Sequence, residues 1–174
     1  IFFLTLFFPQ KVFATDPAIH VGYYVGAGES GLTISGLDFE PDAVIIKSAG
    51  SKLPVLKTTA MASTDVAYLS FNADSTTTEI TLTSDGFSLG THVDVNEAFM
   101  LYTYVAMGNS DCTSSGYFCV GGYTGNGSNP RAITSVGFQP DFVMVVRSNA
   151  NNPTLRSSSQ ATNAGANFST GGEV

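Results

Sequence analysis

The sequence has no tryptophan, very few cysteines and histidines, and little charge. Only 12% of its 174 residues are charged, two are cysteine and two are histidine. Nucleic acid is not an expected partner, because phosphate backbones are bound by clusters of Lys and Arg and the chain is acidic, with a formal net charge of −7. The scarcity of histidine and cysteine leaves few ligands for zinc. We therefore expect no metal site and no cofactor.

Catalytic motifs are also missing. The sequence contains neither G-x-S-x-G nor H-E-x-x-H, and catalysis needs a nucleophile with its base, paired carboxylates or a metal cluster. His20 and His92 are interpreted as ordinary strand and loop residues. Asp85, Asp94 and Asn96 could offer oxygens to calcium, but a solvated loop is favoured because no D-x-D-x-D-G loop is present. The sequence therefore predicts a protein that is not an enzyme.

The one strongly apolar run lies at the N-terminus. Residues 1–14 have an apolar stretch, a polar break and the small-residue exit Val12-x-Ala14, which is typical of the end of a secretory signal peptide. Ile1–Phe8 is too short for a membrane span, which needs about 20 apolar residues, and a buried N-terminal strand is the alternative. We expect no membrane span and a secreted protein, at a cell surface or on a virion. Since the chain starts without Met and stops at Val174, we also expect it to be a fragment.

The two cysteines lie close together, in C-T-S-S-G-Y-F-C. In a secreted protein such a pair around a turn predicts a disulfide across a hairpin. We therefore expect Cys112 and Cys119 to be bonded to each other. A redox-active pair is disfavoured, because the spacing is not C-x-x-C.

What the sequence does contain is a repeat. Tyr24 and Tyr123 stand 99 residues apart, as do Pro41 and Pro140 (123 − 24 = 140 − 41 = 99). The repeat predicts a first unit at 15–119 and the N-terminal part of a second, truncated unit at 120–174. Its signature positions are read as structural, with glycines in turns that need positive φ and Pro-Asp at the start of a strand. These positions are Gly26, Gly28, Phe39, Pro41, Asp42, Gly125, Gly127, Phe138, Pro140 and Asp141.

Strand signals are dense and helix signals are poor. Short runs of Val, Ile, Thr, Tyr and Phe alternate with Gly, Asp, Asn and Ser breaks, which predicts an all-β, antiparallel, jelly-roll-like sandwich in tandem repeats. The predicted strands of the first unit are Ile19–Val25, Leu32–Ile34, Ala43–Ser48, Val55–Thr58, Val66–Phe71, Glu79–Thr83, Phe87–Leu89 and Ala98–Met107. Ala98–Met107 is apolar on both faces and should be central. The predicted core is Phe39, Val44, Ile46, Leu69, Ile80, Leu82, Phe87, Leu101 and Val105.

Tyrosines supply the candidate ligand-binding residues. Tyr23, Tyr102 and Tyr104 could stack on sugar rings, and the chain could then bind cell-surface glycans. The same residues, with Tyr24, could equally form cross-strand pairs that stabilise a sheet. The absence of tryptophan favours the second interpretation.

Four motifs in order resemble a repeated β-rich domain of unknown function that occurs in phage tail-associated and virion proteins and in large secreted surface proteins of bacteria. These motifs lie at Gly122–Ile133, Gly137–Val143, Ser84–Gly90 and Val95–Ala106. The resemblance implies neighbouring repeats or cell-surface glycans as partners, and it carries over no catalytic residues.

Together these observations predict a non-enzymatic, exported structural or adhesive β-repeat protein. The alternative is a carbohydrate-binding, lectin-like module attached to a larger secreted protein or enzyme. A secreted hydrolase is the least favoured function.

Overall fold

The computed structural model describes residues 16–69, 74–75, 79–147, 153–161 and 165–167. Strands dominate this part of the chain, and one single-turn helix interrupts them. The strands are β1 Ala18–Val25, β2 Leu32–Ser35, β3 Pro41–Ser48, β4 Val55–Thr58, β5 Val66–Tyr68, β6 Asp74–Ser75, β7 Ile80–Thr83, β8 Gly86–Leu89, β9 Leu101–Gly108, β10 Phe142–Val145, β11 Thr154–Ser157 and β12 Ala166–Asn167, and the helix is α1 Val93–Asn96. The predicted signal peptide, residues 1–14, and Phe71 lie outside the described residues.

The first nine strands form two facing sheets. One has six strands in the order β1-β9-β3-β4-β5-β6, and the other has three in the order β2-β8-β7. Every pair is antiparallel. One core cluster joins the inner faces of both sheets, which confirms the predicted antiparallel β-sandwich. Its buried side chains are Tyr24, Leu37, Val44, Ile46, Val55, Val66, Tyr68, Ile80, Phe87, Leu89, Val95, Tyr102, Tyr104 and Ala106.

Most of the predicted core is correct. Five predicted members are buried, namely Val44, Ile46, Leu69, Ile80 and Phe87, and Phe39 and Leu82 are partly buried against the cluster. The prediction for Leu101 is wrong, since 42% of this residue is exposed. Its side chain lies on the face of β9 opposite to Tyr102, and alternation along a strand places only one of the two against the core. Val105 shares this outer face and is half-buried.

Strand β9 is central, as predicted, because β1 and β3 pair with its two edges. It begins at Leu101 rather than at Ala98. The reason is a turn: the Met100 N–H donates to the Glu97 carbonyl at 3.1 Å, and Phe99 has a φ of +64°. A residue in this left-handed region cannot continue a strand.

The segment predicted as a loop around His92 contains helix α1. His92 caps this turn, since its Nδ1 accepts the Asp94 N–H at 3.3 Å. The sequence does not reveal so short a helix because its four residues, V-D-V-N, include no strong helix former.

Strands β10, β11 and β12 form a separate three-stranded sheet. Its register repeats that of β3, β4 and β5 at the offset of the sequence repeat. Phe142 pairs with Ser157 as Ala43 pairs with Thr58, and 142 − 43 = 157 − 58 = 99. Turn bonds repeat as well. The Asp42 carbonyl accepts the Thr59 N–H at 2.9 Å, and its counterpart 99 residues later accepts the Ser158 N–H at 2.8 Å.

Cys112 and Cys119 form the predicted disulfide, with their Cα atoms 4.9 Å apart. The bonded loop lies between β9 and β10, and the Gly137 N–H donates to the Cys112 carbonyl at 2.8 Å. Across the part of the chain that the structure describes, no helix is both long and apolar enough to span a membrane.

Candidate functional site

The three tyrosines predicted to bind a ligand do not share a surface. Tyr102 and Tyr104 are buried on the inner face of the large sheet, whereas Tyr23 is 76% exposed on the outer face. Tyr102 stacks on Tyr24, its cross-strand partner, with ring centroids 5.1 Å apart. Tyr104 stacks on His20 at 5.8 Å. Burial and stacking agree with the interpretation of the inner tyrosines as cross-strand pairs.

The inner tyrosines are also bonded through their hydroxyl groups. Tyr24 donates to the Val95 carbonyl and Tyr102 to the Val93 carbonyl, each at 2.5 Å, so both anchor helix α1 to the sheet. Burial raises the pKa of Tyr24 and of Tyr102 above the usual value, because a buried phenolate loses its hydration. These groups are structural at neutral pH, where they remain protonated donors.

A polar cluster lies on the other side of helix α1. The Tyr68 hydroxyl donates to Glu79 Oε1 at 3.3 Å, and Glu79 is almost fully buried. His92 Nδ1 lies 3.7 Å from Glu79 Oε1 and 3.4 Å from Asp94 Oδ2. Asp94 Oδ1 in turn accepts the Leu53 N–H at 3.3 Å. Sequence analysis missed this cluster, because its members come from three separate segments and Glu79 lies in no motif.

The cluster holds groups that could carry protons, but its visible contacts are structural. His92 caps helix α1, and the Asp94 carboxylate fixes the loop at Leu53. Burial is the main cause that raises the pKa of Tyr68, and the charges of Glu79 and Asp94 add to it. Among the described residues, no group of three or more His, Cys, Asp or Glu side chains is arranged to hold a metal ion. Asp85, the other candidate acid, accepts the Gly36 and Asp38 N–H groups at 3.0 and 2.9 Å.

Asn96 is fully buried and organises the Gly-x-Gly turn of the first unit. Its Oδ1 accepts the Ala27 N–H at 2.7 Å and the Gly28 N–H at 3.4 Å. Its Nδ2 donates to the carbonyls of Glu29 and Gly90, both at 2.7 Å. The side-chain amide thus uses both its acceptor and its donor capacity on backbone groups.

The signature glycines differ in what they need. Gly28 and Gly127 have φ of +75° and +73°, so the predicted positive φ is found at the second glycine of each pair. The prediction is wrong for Gly26 and Gly125, which do not have positive φ. Gly26 is required for another reason: a Cβ there would lie 2.2 Å from the Glu97 carbonyl oxygen. At Gly125 nothing lies within 4 Å of such a Cβ.

The remaining signature residues are structural in the first unit. Pro41 is buried at the start of β3, and Phe39 packs against the core. Asp42 Oδ2 accepts the Ser110 N–H at 2.8 Å, as the predicted backbone-binding role requires. In the second unit, Phe138 and Pro140 are half-buried and Asp141 is exposed.

The outer face of the six-stranded sheet is the most distinctive surface of the molecule. Apolar cross-strand neighbours on this face extend across five strands, although the next row contains Thr103 and Lys47. Paired from β1 to β5, one such row is Val21, Val105, Ile45, Leu56 and Ala67.

Side chains from the segment that follows β9 cover one half of this face. The cluster there has Ala43, Leu56 and Leu69 as its buried members, and four side chains that follow β9 in the chain pack on it. Those four are Phe118, Val120, Met144 and Val146. Apolar contact with the segment that follows β9 therefore buries the β3, β4 and β5 side of the face.

Among the described residues, the β1 half of the face is exposed. Its large apolar side chains are the outward ones of β1, one on β9 and one in the turn before β9, and the exposed Thr103 of β9 lies opposite Tyr23. We name this surface the β1 stripe, and its members are Ile19, Val21, Tyr23, Val25, Phe99 and Leu101. Val25 pairs with Leu101 across the strands, so the two strands present one continuous patch.

Phe99 is the most exposed member of the stripe. Its ring is 94% accessible although the residue has a φ of +64°. A bulky residue in this region is an outlier that costs of order 1 kcal/mol or more. The Phe99 N–H donates to the Gly26 carbonyl at 2.9 Å, which holds the turn in place. A strained turn thus presents an aromatic ring to solvent.

Comparison with known proteins identifies a family but no function. The sequence model of one family, described as "Domain of unknown function (DUF7483)", matches residues 14–167. The match covers most of the chain, and the protein belongs to this family. No curated protein and no solved structure is significantly similar to it.

Proposed function

For this member of a family of unknown function, we propose that the protein is an exported, non-enzymatic module with a structural or adhesive role. It acts by packing β-sandwich units against one another and against surfaces outside the cell. The observation that carries the proposal is the apolar outer face of the six-stranded sheet. Part of this face already holds side chains of the second unit, and part is open.

The polar chemistry of the described residues supports a structural role. Three buried polar side chains hold backbone segments in place: Asn96 binds a turn, Asp94 binds the loop at Leu53, and Lys57 binds the loop that contains Ala62 and Asp65. Lys57 Nζ donates to three backbone carbonyls at 2.6 to 3.1 Å. An enzyme would direct some of these groups into a cleft shared with a nucleophile.

Export is supported by two features. The Cys112–Cys119 disulfide is compatible with an oxidising compartment outside the cytosol. The apolar N-terminal segment has the pattern of a secretory signal peptide. Occurrence on a virion or a bacterial surface is part of the proposal, since both locations need modules that display themselves in series.

A carbohydrate-binding module is the second candidate. Tyr23 and Phe99 favour it, because both are aromatic residues that are largely exposed. Rings of this kind stack on sugars as well as on apolar protein surfaces. The two candidates make different predictions for a soluble glycan.

Location and turnover test the proposal together. An antibody to the purified chain should label the cell surface, the medium or virions of the source, and the chain should not turn over ester, glycoside or peptide substrates. Labelling confined to the cytosol would overturn export. Turnover that is lost in His92→Ala and kept in His20→Ala would overturn the non-enzyme role. Glycan-array binding that is lost in Tyr23→Ala and kept in Tyr117→Ala would favour the carbohydrate-binding module.

A further inference from the structure

The β1 stripe is an unusually apolar surface for a strand at the edge of a sheet. Val21 is 68% exposed and Ile19 63%. No member of the stripe carries a charge, and an exposed contiguous apolar patch of this kind marks an interaction site. The stripe therefore needs a partner surface that is apolar and uncharged.

The backbone of β1 at its outer edge is a second feature of this surface. β1 ends the six-stranded sheet, and within the described residues only β9 pairs with it. Edge strands are normally protected by proline, lysine, a bulge or short length. β1 is eight residues long, contains no proline or lysine, and pairs with β9 in an unbroken register. Its outer edge can therefore accept a further strand.

The repeat counterparts of two stripe residues show which kind of surface these residues contact elsewhere in the chain. Phe118 and Val120 stand 99 residues after Ile19 and Val21 (118 − 19 = 120 − 21 = 99). Both pack on the apolar outer face of the large sheet. The stripe is continuous with that face through the pairs of β1 with β9 and of β9 with β3. In the structure, the repeat counterparts of Ile19 and Val21 therefore contact the outer face of the protein's own large sheet.

We infer that the β1 stripe is a self-association site, at which β1 of one copy pairs antiparallel with β1 of a second copy. The inference rests on the proposed structural role and names its partner. A two-fold axis at Gly22 would place Val21 opposite the second copy's Tyr23, and Ile19 opposite its Val25. The stripes of both copies then lie on one face of a continuous sheet, where their side chains contact each other as cross-strand neighbours along the shared edge.

The stripe itself is uncharged, so it offers no charge complementarity to an acidic or a basic partner. Each copy has a formal net charge of −7, so two copies repel each other overall. The stripe contributes no charge to the contact, and added salt screens the remaining repulsion. We therefore expect association to strengthen, rather than weaken, as ionic strength rises. An interface of one strand and a few side chains is small, and contacts below about 1,200 Å² are weak and reversible.

The test is sedimentation of the full chain over a range of concentrations and salt. The wild type should shift from monomer to dimer as concentration rises. Val21→Lys and Tyr23→Lys should stay monomeric, because each places a charge against apolar side chains. Thr33→Lys is the matched control, an exposed position on an edge strand of the other sheet, and it should dimerise like the wild type. Thermal unfolding of each variant verifies that it is folded.

Hydrogen exchange adds a readout that does not depend on variants. The β1 amides that face away from β9 should gain protection as concentration rises. A wild type that is monomeric at every concentration overturns the inference, as does a dimer that survives both lysine substitutions. Protection of these amides in a monomer would mean that another segment of the same chain covers them. A soluble glycan that binds a monomer, and that Tyr23→Lys abolishes, would assign the stripe to sugar.

The two proposals fail separately. A monomeric chain without turnover and with surface labelling refutes self-association and leaves the proposed structural role standing. Turnover, or a cytosolic location, refutes that role whatever the state of association.

Discussion

Val21 and Val120 occupy the same position of the 99-residue repeat (120 − 21 = 99), yet their surroundings are opposite. Val21 projects into solvent from the edge of the six-stranded sheet. Val120 packs on the outer face of that same sheet, together with Phe118 and Met144. At this position of the repeat, Val120 makes an apolar contact with the outer sheet face, whereas Val21 is exposed.

This pair gives the first prediction. Val120→Lys should lower the free energy of unfolding by about 1–2 kcal/mol, because it puts a charge into an apolar contact. Val21→Lys, measured at low protein concentration, should change it by less than about 0.5 kcal/mol, as is usual for an exposed site. Urea unfolding of both variants provides the comparison. Equal losses would show that the contact between the units contributes nothing specific.

A second matched pair separates a packed glycine from an open one. Gly26→Ala should destabilise by about 1–3 kcal/mol, because the added Cβ would meet the Glu97 carbonyl oxygen at 2.2 Å. Gly125→Ala, 99 residues later, meets nothing within 4 Å. It should be neutral or stabilise by up to about 1 kcal/mol, since alanine reduces the entropy of the unfolded chain. Thermal melting of the two variants should therefore shift in different directions or by clearly different amounts.

Alkaline pH should unfold the protein through its buried tyrosines. Burial raises the pKa of Tyr24, Tyr68, Tyr102 and Tyr104, so the folded state keeps protons that the unfolded state releases near pH 10. Their contribution to stability is complete below pH 10 and is lost as pH rises further. Burial lowers the pKa of Lys57, which acts in the opposite direction, but it is one group against four.

The measurement is a pH titration in which the ultraviolet absorbance of tyrosinate reports on ionisation and far-ultraviolet circular dichroism reports on strand structure. Ionisation of the four buried tyrosines should coincide with the loss of strand signal. Complete tyrosine ionisation before any loss of structure would contradict the assignment of these rings to the core.

The sequence was sufficient to predict the strands because local pattern decides them. Val55–Thr58 is a strand with the predicted bounds, since an apolar run bounded by turn residues specifies it. Most other strands differ by one to three residues at an end. Tertiary contacts set those ends. For example, the Phe99 N–H donates to the Gly26 carbonyl, and β1 ends directly before Gly26.

The candidate site could not be predicted in the same way. Alternation places Tyr23 and Tyr24 on opposite faces of β1, but it does not say which face is covered. That depends on Phe87 of the facing sheet, which lies edge-on to Tyr104 at 5.1 Å. The exposure of the stripe likewise depends on where Phe118 and Val120 pack, and both are distant in sequence from β1. Glu79 and His92 meet only because β7 and helix α1 are brought together by the fold.

The last prediction concerns Asn96, whose amide holds the turn beside the stripe. Asn96→Ala should cost at least about 3 kcal/mol, because it leaves buried backbone donors and acceptors without their partners. Asn96→Asp should also destabilise, since a carboxylate still accepts the Ala27 N–H but faces the Glu29 and Gly90 carbonyls without a donor. The matched control is Asn126→Ala, which removes one exposed bond from the Ser128 N–H. It should cost less than about 0.5 kcal/mol.

Urea unfolding measures both losses, and hydrogen exchange at Ala27 and Gly28 reports on the turn itself. These amides should lose protection in Asn96→Ala well before the rest of β1 does. If the turn stays protected in Asn96→Ala, its backbone bond from the Gly28 N–H to the Asn96 carbonyl at 3.0 Å is sufficient. The Asn96 side chain would then be dispensable for the turn.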